Sequence, residues 1–201
     1  MKIAYLGTGL MGGPMAKNLA VSGFHISAWN RTPSKAAFLK EFEVDIEISA
    51  AEAVKNADVI ISMLSDGDAS QEMQNDEKLR RNFLPNCTWI EMGSIKPDEA
   101  RAHSINLGNL NVNYLDAPVS GGTKGAENGS LAIMVGGDSA VFAKVEDAFK
   151  PLGRAVFVGP TGSGQLAKLA NQAIVAITIG AVAEATLLLE EGGADAGAVR
   201  D

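Results

Sequence analysis

The chain of 201 residues is long enough for one generous domain, or for one domain and part of a second, and its apolar content is ample for a core. A net charge of −7 excludes a broad nucleic-acid surface, because such binding rests on clustered Lys and Arg that release counterions; any phosphate site here is local. The single cysteine, Cys87, excludes an intrachain disulfide, and its setting in CTWIEM reads as a buried structural thiol in a reducing compartment.

In chain order, MKIAYLGTG enters a strand pattern at once and leaves no room for a signal peptide, so the expected location is cytoplasmic. After KIAYL, β-rich runs recur as HISAW, VDIEI, DVIISML, CTWIEM, NYLDA, LAIMVG and AVFVG. Helix-like stretches at 13–22, 33–42, 49–56, 97–108 and 138–149 separate most of them. That alternation predicts βαβ units around a mainly parallel sheet, and strands so rich in Val, Ile and Leu suit a sheet covered on both faces. Both tryptophans and most other aromatics precede residue 160, which marks residues 1–162 as the compact unit. Residues 165–191 then read as one long helix ended by EEGG, and ADAGAVRD as the start of another. Residues 163–201 are therefore expected to form an interdomain helix and the beginning of an all-helical domain. The apolar run AIVAITIGAVA, residues 173–183, lies between Lys168 and Glu184 and is shorter than the roughly 20 residues a bilayer span needs, which predicts a buried helix.

Three motifs carry chemistry. Gly7-x-Gly9-x-x-Gly12 follows the first strand and opens a helix, the context of a Rossmann dinucleotide fingerprint. Gly7 permits the turn, Gly9 lets a pyrophosphate approach the backbone, and Gly12 lets helix pack on strand, while the helix start offers unpaired N–H groups to phosphate. The second strand ends in Asn30-Arg31-Thr32, where an NAD-preferring site would carry an acid. An arginine there can bond the 2′-phosphate of NADPH, and a charge-assisted bond of about 1.5–3 kcal/mol suffices for a tenfold to hundredfold preference. A surface arginine in a polar turn is the bland alternative.

The second motif is LDAPVSGG, in which Ser120, Gly121 and Gly122 can form an anion nest for a substrate carboxylate, or equally a β-turn before a helix. The third, GPTGSGQLAKLANQ, places Lys168, Asn171 and Gln172 three and four positions apart on one helix face. A lysine there can give the proton that an aldehyde oxygen needs after hydride transfer, although a solvated lysine on a helix face is the commoner arrangement.

In order and spacing, GTGLMGGPMAKNL, DVIISML, EMGSIKP, DAPVSGGTKGAENGSLAIMVGG and GPTGSGQLAKLANQ resemble the β-hydroxyacid dehydrogenase family, the group of 3-hydroxyisobutyrate dehydrogenases and the tartronate, glyoxylate and succinic semialdehyde reductases. The resemblance implies a Rossmann-type domain followed by a helical domain that completes the active site and builds a homo-oligomer. It implies that Gly7, Gly9, Leu10, Met11, Gly12, Asn30, Arg31, Thr32, Met63, Leu64 and Ser94 border the cofactor. It further implies that Ser120, Gly121 and Gly122 hold a carboxylate, that Lys168 is the general acid and base, and that Asn171 and Gln172 orient the substrate.

The reaction so implied is reversible reduction of a small carboxylate-bearing aldehyde, with NADP(H) preferred over NAD(H) and with no metal, nucleic-acid or membrane partner. The chain departs from the family pattern in three places. GTG lacks the usual larger apolar residue, EMGSI replaces Met-Ser-Thr, and Gln172 stands where Asn is common. The related 6-phosphogluconate dehydrogenases carry His where this chain has Asn171, and imine reductases generally lack the lysine. A non-catalytic dinucleotide-binding module and an imine reductase-like enzyme are the rival readings.

Overall fold

The computed structural model describes residues 1–200. The elements run β1 (Lys2–Leu6), α1 (Gly12–Val21), β2 (His25–Trp29), β3 (Asp45–Ile46), α2 (Ala50–Ala53), β4 (Val59–Ser62), α3 (Gly67–Asn75), α4 (Glu77–Arg80) and β5 (Thr88–Glu91). Then follow α5 (Pro97–Gly108), β6 (Asn113–Asp116), β7 (Val119–Ser120), α6 (Gly122–Asn128), β8 (Leu131–Gly137), α7 (Ser139–Val145), β9 (Gly153–Gly159), α8 (Ser163–Glu191) and α9 (Ala196–Arg200). The strand order is β3-β2-β1-β4-β5-β6-β8-β7, with β9 on β8. From β3 to β6 every pairing is parallel; β8 runs antiparallel to β6 and β7, and β9 parallel to β8. This is a Rossmann-type α/β domain, and the order reverses direction at β1, where such sheets open a ligand crevice at their carboxyl ends.

Side-chain alternation builds a core on each face of the sheet. Ile3 and Tyr5 join Ile61, Ile90 and the α1 residues Met15 and Leu19, whereas Ala4 and Leu6 join Ile60, Trp89 and the α5 residue Leu107. Residues alternating in one strand thus feed two hydrophobic layers. Because β4 and β5 are buried along their whole length, they need the continuous apolar composition seen in VIIS and TWIE.

Several local expectations change. Residues 33–42 form two 3₁₀ segments, Pro33–Lys35 and Ala37–Phe42, rather than an α-helix; neither start has a side-chain cap, and the segment ends on Glu43 with φ of 58°. VDIEI contributes only Asp45–Ile46 to the sheet, since β3 is an edge strand and Ile48 is exposed. The helices α3 and α4 arise where no helix was expected; Asp66 and Asp76 cap them by accepting the N–H groups of Ala69 and Lys78, while α6 is the helix that a turn at Ser120 to Gly122 would precede.

The chain divides into a unit Met1–Lys168 and a unit beginning at Leu169. In the second, the run at 173–183 lies within the 29 residues of α8, the long helix expected over 165–191, and that helix is long and apolar enough to cross a membrane by length and composition. The run itself is exposed within this chain along its whole length, not buried as expected. The length argument from the sequence therefore fails, because the helix continues past Glu184 through Leu187, Leu188 and Leu189.

Trp89 is the largest fully buried side chain, donates its indole N–H to Ser62 Oγ at 2.8 Å and meets Phe83 edge-on. Trp89→Ala should destabilise the protein by about 3–5 kcal/mol, read as a lower urea midpoint by circular dichroism.

Candidate functional site

The residues expected to border a cofactor come from the carboxyl ends of four neighbouring parallel strands. Arg31 follows β2, Gly7 follows β1, Met63 follows β4 and Ser94 lies just beyond β5, in the order in which those strands stand in the sheet. At the usual strand spacing this row is about 14 Å across. The loop after β1 is fastened on both sides: Gly7 N–H donates to the Trp29 carbonyl at 2.9 Å, and Met63 N–H to the Leu6 carbonyl at 2.8 Å. Gly7 has φ of 98°, and a Cβ there would strike the Met63 carbonyl; a Cβ on Gly12 would strike the Gly7 carbonyl. Around Gly9, by contrast, a Cβ would meet nothing within 4 Å.

That open backbone, beside the buried and unpartnered Thr8 hydroxyl, fits a pyrophosphate laid against the loop. Leu10 is exposed at the rim and Met11 packs partly into the core. Met63 and Leu64 are half-buried, and Ser94 is exposed.

Asn30 has a structural task that its position in the sequence did not reveal. Its Oδ1 accepts the Thr8 N–H at 2.9 Å, and its Nδ2 donates to the Thr32 carbonyl at 2.9 Å, so the side chain braces the glycine loop. Arg31 and Thr32 are exposed. An acid does lie within electrostatic reach of Arg31: the carboxyl of Asp66 is held low by the Ala69 N–H, by the Ser65 hydroxyl and, as the weakest contribution, by the Arg31 charge.

At the other end of the row, the carboxylate of Asp116 is fully buried at the end of β6. Its Oδ1 accepts the Gly162 N–H at 2.8 Å and its Oδ2 the Gln165 N–H at 2.9 Å, which caps the start of α8. Burial raises the pKa of this carboxyl, and the backbone donors oppose the rise. One turn further along α8, Lys168 is half-buried, and desolvation lowers its pKa below the usual ammonium range. Ser120 ends β7, and Gly121 and Gly122 turn the chain into α6 with φ of 134° and 62°. Asn171, half-buried, and Gln172, exposed, belong to the second unit.

Sequence reasoning missed Asp116, Gln165 and Glu91. Glu91, fully buried, accepts the Gly93 N–H on Oε1 at 3.1 Å and the Ser70 hydroxyl on Oε2; Gln74 donates to that same hydroxyl. Desolvation pushes its pKa to about 7 against the pull of these donors. Their signal was faint: an acid ending an apolar strand, in WIE and YLD, is the pattern that could have found Glu91 and Asp116. Among the described residues no cluster of His, Cys, Asp and Glu could hold a metal.

Residues 2–159 match the family described as the NAD binding domain of 6-phosphogluconate dehydrogenase. The whole chain is 40% identical to the 2-hydroxy-3-oxopropionate reductase of Escherichia coli K12, covering 69% of it. It is 37% identical over 97% of its length to the NAD-dependent L-serine dehydrogenase of Pseudomonas aeruginosa, covering 66% of that protein. The solved structure of 3-hydroxyisobutyrate dehydrogenase from Mycobacterium tuberculosis with L-serine superposes with a TM-score of 0.92 at 34% identity, over 96% of this chain and 66% of that one. The chain thus spans about two thirds of the length of these relatives.

Glu91 keeps in the folded state, between its ordinary pKa of 4.5 and about 7, a proton that the unfolded chain releases. Stability therefore falls as pH rises through that window and levels off above it, by about 3 kcal/mol in all. Glu91→Gln keeps an acceptor for Gly93 and should remove that part of the decline, measured as urea midpoints from pH 4 to 8.

Proposed function

The chain belongs to the β-hydroxyacid dehydrogenase family, whose fold binds a nicotinamide dinucleotide, and on that premise we propose that it reduces a small carboxylate-bearing aldehyde reversibly to the hydroxyacid, preferring NADPH. The observation that carries this reading is the order of the strand ends, with an arginine at one end of the row and a lysine of lowered pKa beyond the other. A dinucleotide laid along that row meets charge suited to a 2′-phosphate at β2 and a proton donor past β5. The nicotinamide, when bound, supplies the hydride.

The residues of the chain do the rest. The loop from Gly7 to Gly12, with Leu10 and Met11 at its rim, holds the pyrophosphate on backbone N–H groups, and Asn30 keeps that loop in shape. Arg31 and Thr32 receive the 2′-phosphate, while Met63, Leu64 and Ser94 line the way to the reacting end. Ser120, Gly121 and Gly122 hold the substrate carboxylate, and Asn171 and Gln172 orient its remainder. Lys168 gives its Nζ proton to the carbonyl oxygen in reduction and takes it back in oxidation. A lowered pKa suits both directions, because the ammonium releases its proton more readily and the neutral amine is reached nearer neutral pH. The relative named for 2-hydroxy-3-oxopropionate supports an aldehyde one carbon removed from a carboxylate as the substrate class.

The uncovered apolar length of α8 is best accounted for by further helices and by a second copy of the chain, in a cytoplasmic homo-oligomer without membrane or nucleic-acid partners. NADPH oxidation with a panel of semialdehydes and glyoxylate tests the reading; absence of turnover with all of them would overturn it.

Lys168→Ala should lower kcat by about 100-fold or more while NADPH still binds. Wild-type reduction should weaken as pH rises through the lysine pKa, and that alkaline limb should be missing from the variant profile. Arg31→Asp should shift the ratio of kcat/KM for NADPH over NADH toward NADH by about tenfold to hundredfold.

A further inference from the structure

Ser94 is flanked by two backbone groups that share one partner. The Gly93 carbonyl accepts from Gln165 Nε2 at 2.8 Å, and the Ile95 N–H donates to Gln165 Oε1 at 3.1 Å. A single side-chain amide therefore brackets Ser94 as a neighbouring strand would, with one donor and one acceptor. Gln165 itself is 1% exposed, so neither bond has water as a substitute. Its own backbone N–H is held by Asp116 Oδ2 at 2.9 Å, which fixes the first turn of α8 to the end of β6. A further donor of the segment, the Gly93 N–H, goes to Glu91. Around an exposed serine the backbone is pinned by buried side chains, an arrangement that leaves the segment one geometry.

Resting on the function proposed above, we infer that Gln165 is a positioning residue: its amide locks the Ser94 segment to the start of α8 and so sets the distance between the cofactor-facing loop and Lys168. Lys168 lies three residues beyond Gln165 on the same helix, less than one turn away. Without the amide, the Ser94 segment loses both of its hydrogen bonds to the first turn of α8. Hydride transfer and proton transfer must meet on one carbonyl group, so a loss of register between the two supports harms turnover more than binding.

The test uses the full-length protein with Gln165→Ala and Gln165→Glu. The glutamate keeps the acceptor for Ile95 and loses the donor to Gly93. We expect kcat for aldehyde reduction to fall about 10- to 100-fold in the alanine variant, with a smaller loss in the glutamate variant and with the Kd for NADPH within about threefold of wild type. A readout free of turnover is amide hydrogen exchange across residues 93–96. NADPH should slow this exchange in the wild type and fail to do so in Gln165→Ala.

Unchanged NADPH protection in the alanine variant, or unchanged kcat alongside faster exchange, overturns the inference. A wild type that reduces no aldehyde, yet whose NADPH protection of 93–96 depends on Gln165, sinks the proposed reaction and leaves the lock on the loop standing.

Discussion

The interaction on which the site depends is the buried carboxylate of Asp116 receiving the first N–H groups of α8. A carboxylate wholly out of water is tolerated only when donors replace its hydration, and a helix start offers unsatisfied donors that need an acceptor. Each group solves the other's problem. The bond joins β6, a strand of the parallel sheet, to residues 46 and 49 positions further on, and it decides where α8 begins. Because a helix is stiff, the start of α8 also sets where Lys168 stands. Glycine makes the contact close: a Cβ on Gly164 would strike the Asp116 backbone, and one on Gly136 would meet the Asp116 carboxylate at 2.7 Å.

Most of the sheet, and the glycine loop after its first strand, was legible because its logic is local. The glycine spacing after KIAYL, the position of Arg31 at the end of the next strand and the alternation of apolar runs are written in neighbouring residues, and the Rossmann-type sheet follows them. What could not be read was long-range. Gln165 acts on residues 70 and 72 positions away, and Glu91 on Ser70, 21 positions away, so nothing beside them in the chain announces their partners. Asn30 was legible as the residue just past the second strand, but not as the brace of Thr8. The segment 33–42 had helix-forming composition without caps, and the short crossing from β2 to the edge strand β3 tightened it into 3₁₀ turns.

The polar core beneath the site favours precision at some expense of stability. Glu91 and Asp116 both sit where an apolar residue would satisfy the packing, and desolvation raises the pKa of each. What they provide instead is direction, since a carboxylate fixes the donors it accepts, and here those donors belong to the segment after β5 and to the start of α8. Structural conflicts of this kind concentrate at functional sites, where local stability is not the only requirement.

The capping of α8 by Asp116 also bears on the order in which the protein can be made. A chain synthesised from its amino terminus has β1 to β6 in hand before residues 162–165 exist, and domains begin to fold as they emerge. Until those residues arrive, the Asp116 carboxylate has no helix start to answer it and must stay hydrated or protonated. The end of β6 therefore closes last, and the glycine loop after β1 stands before the start of α8 is fixed.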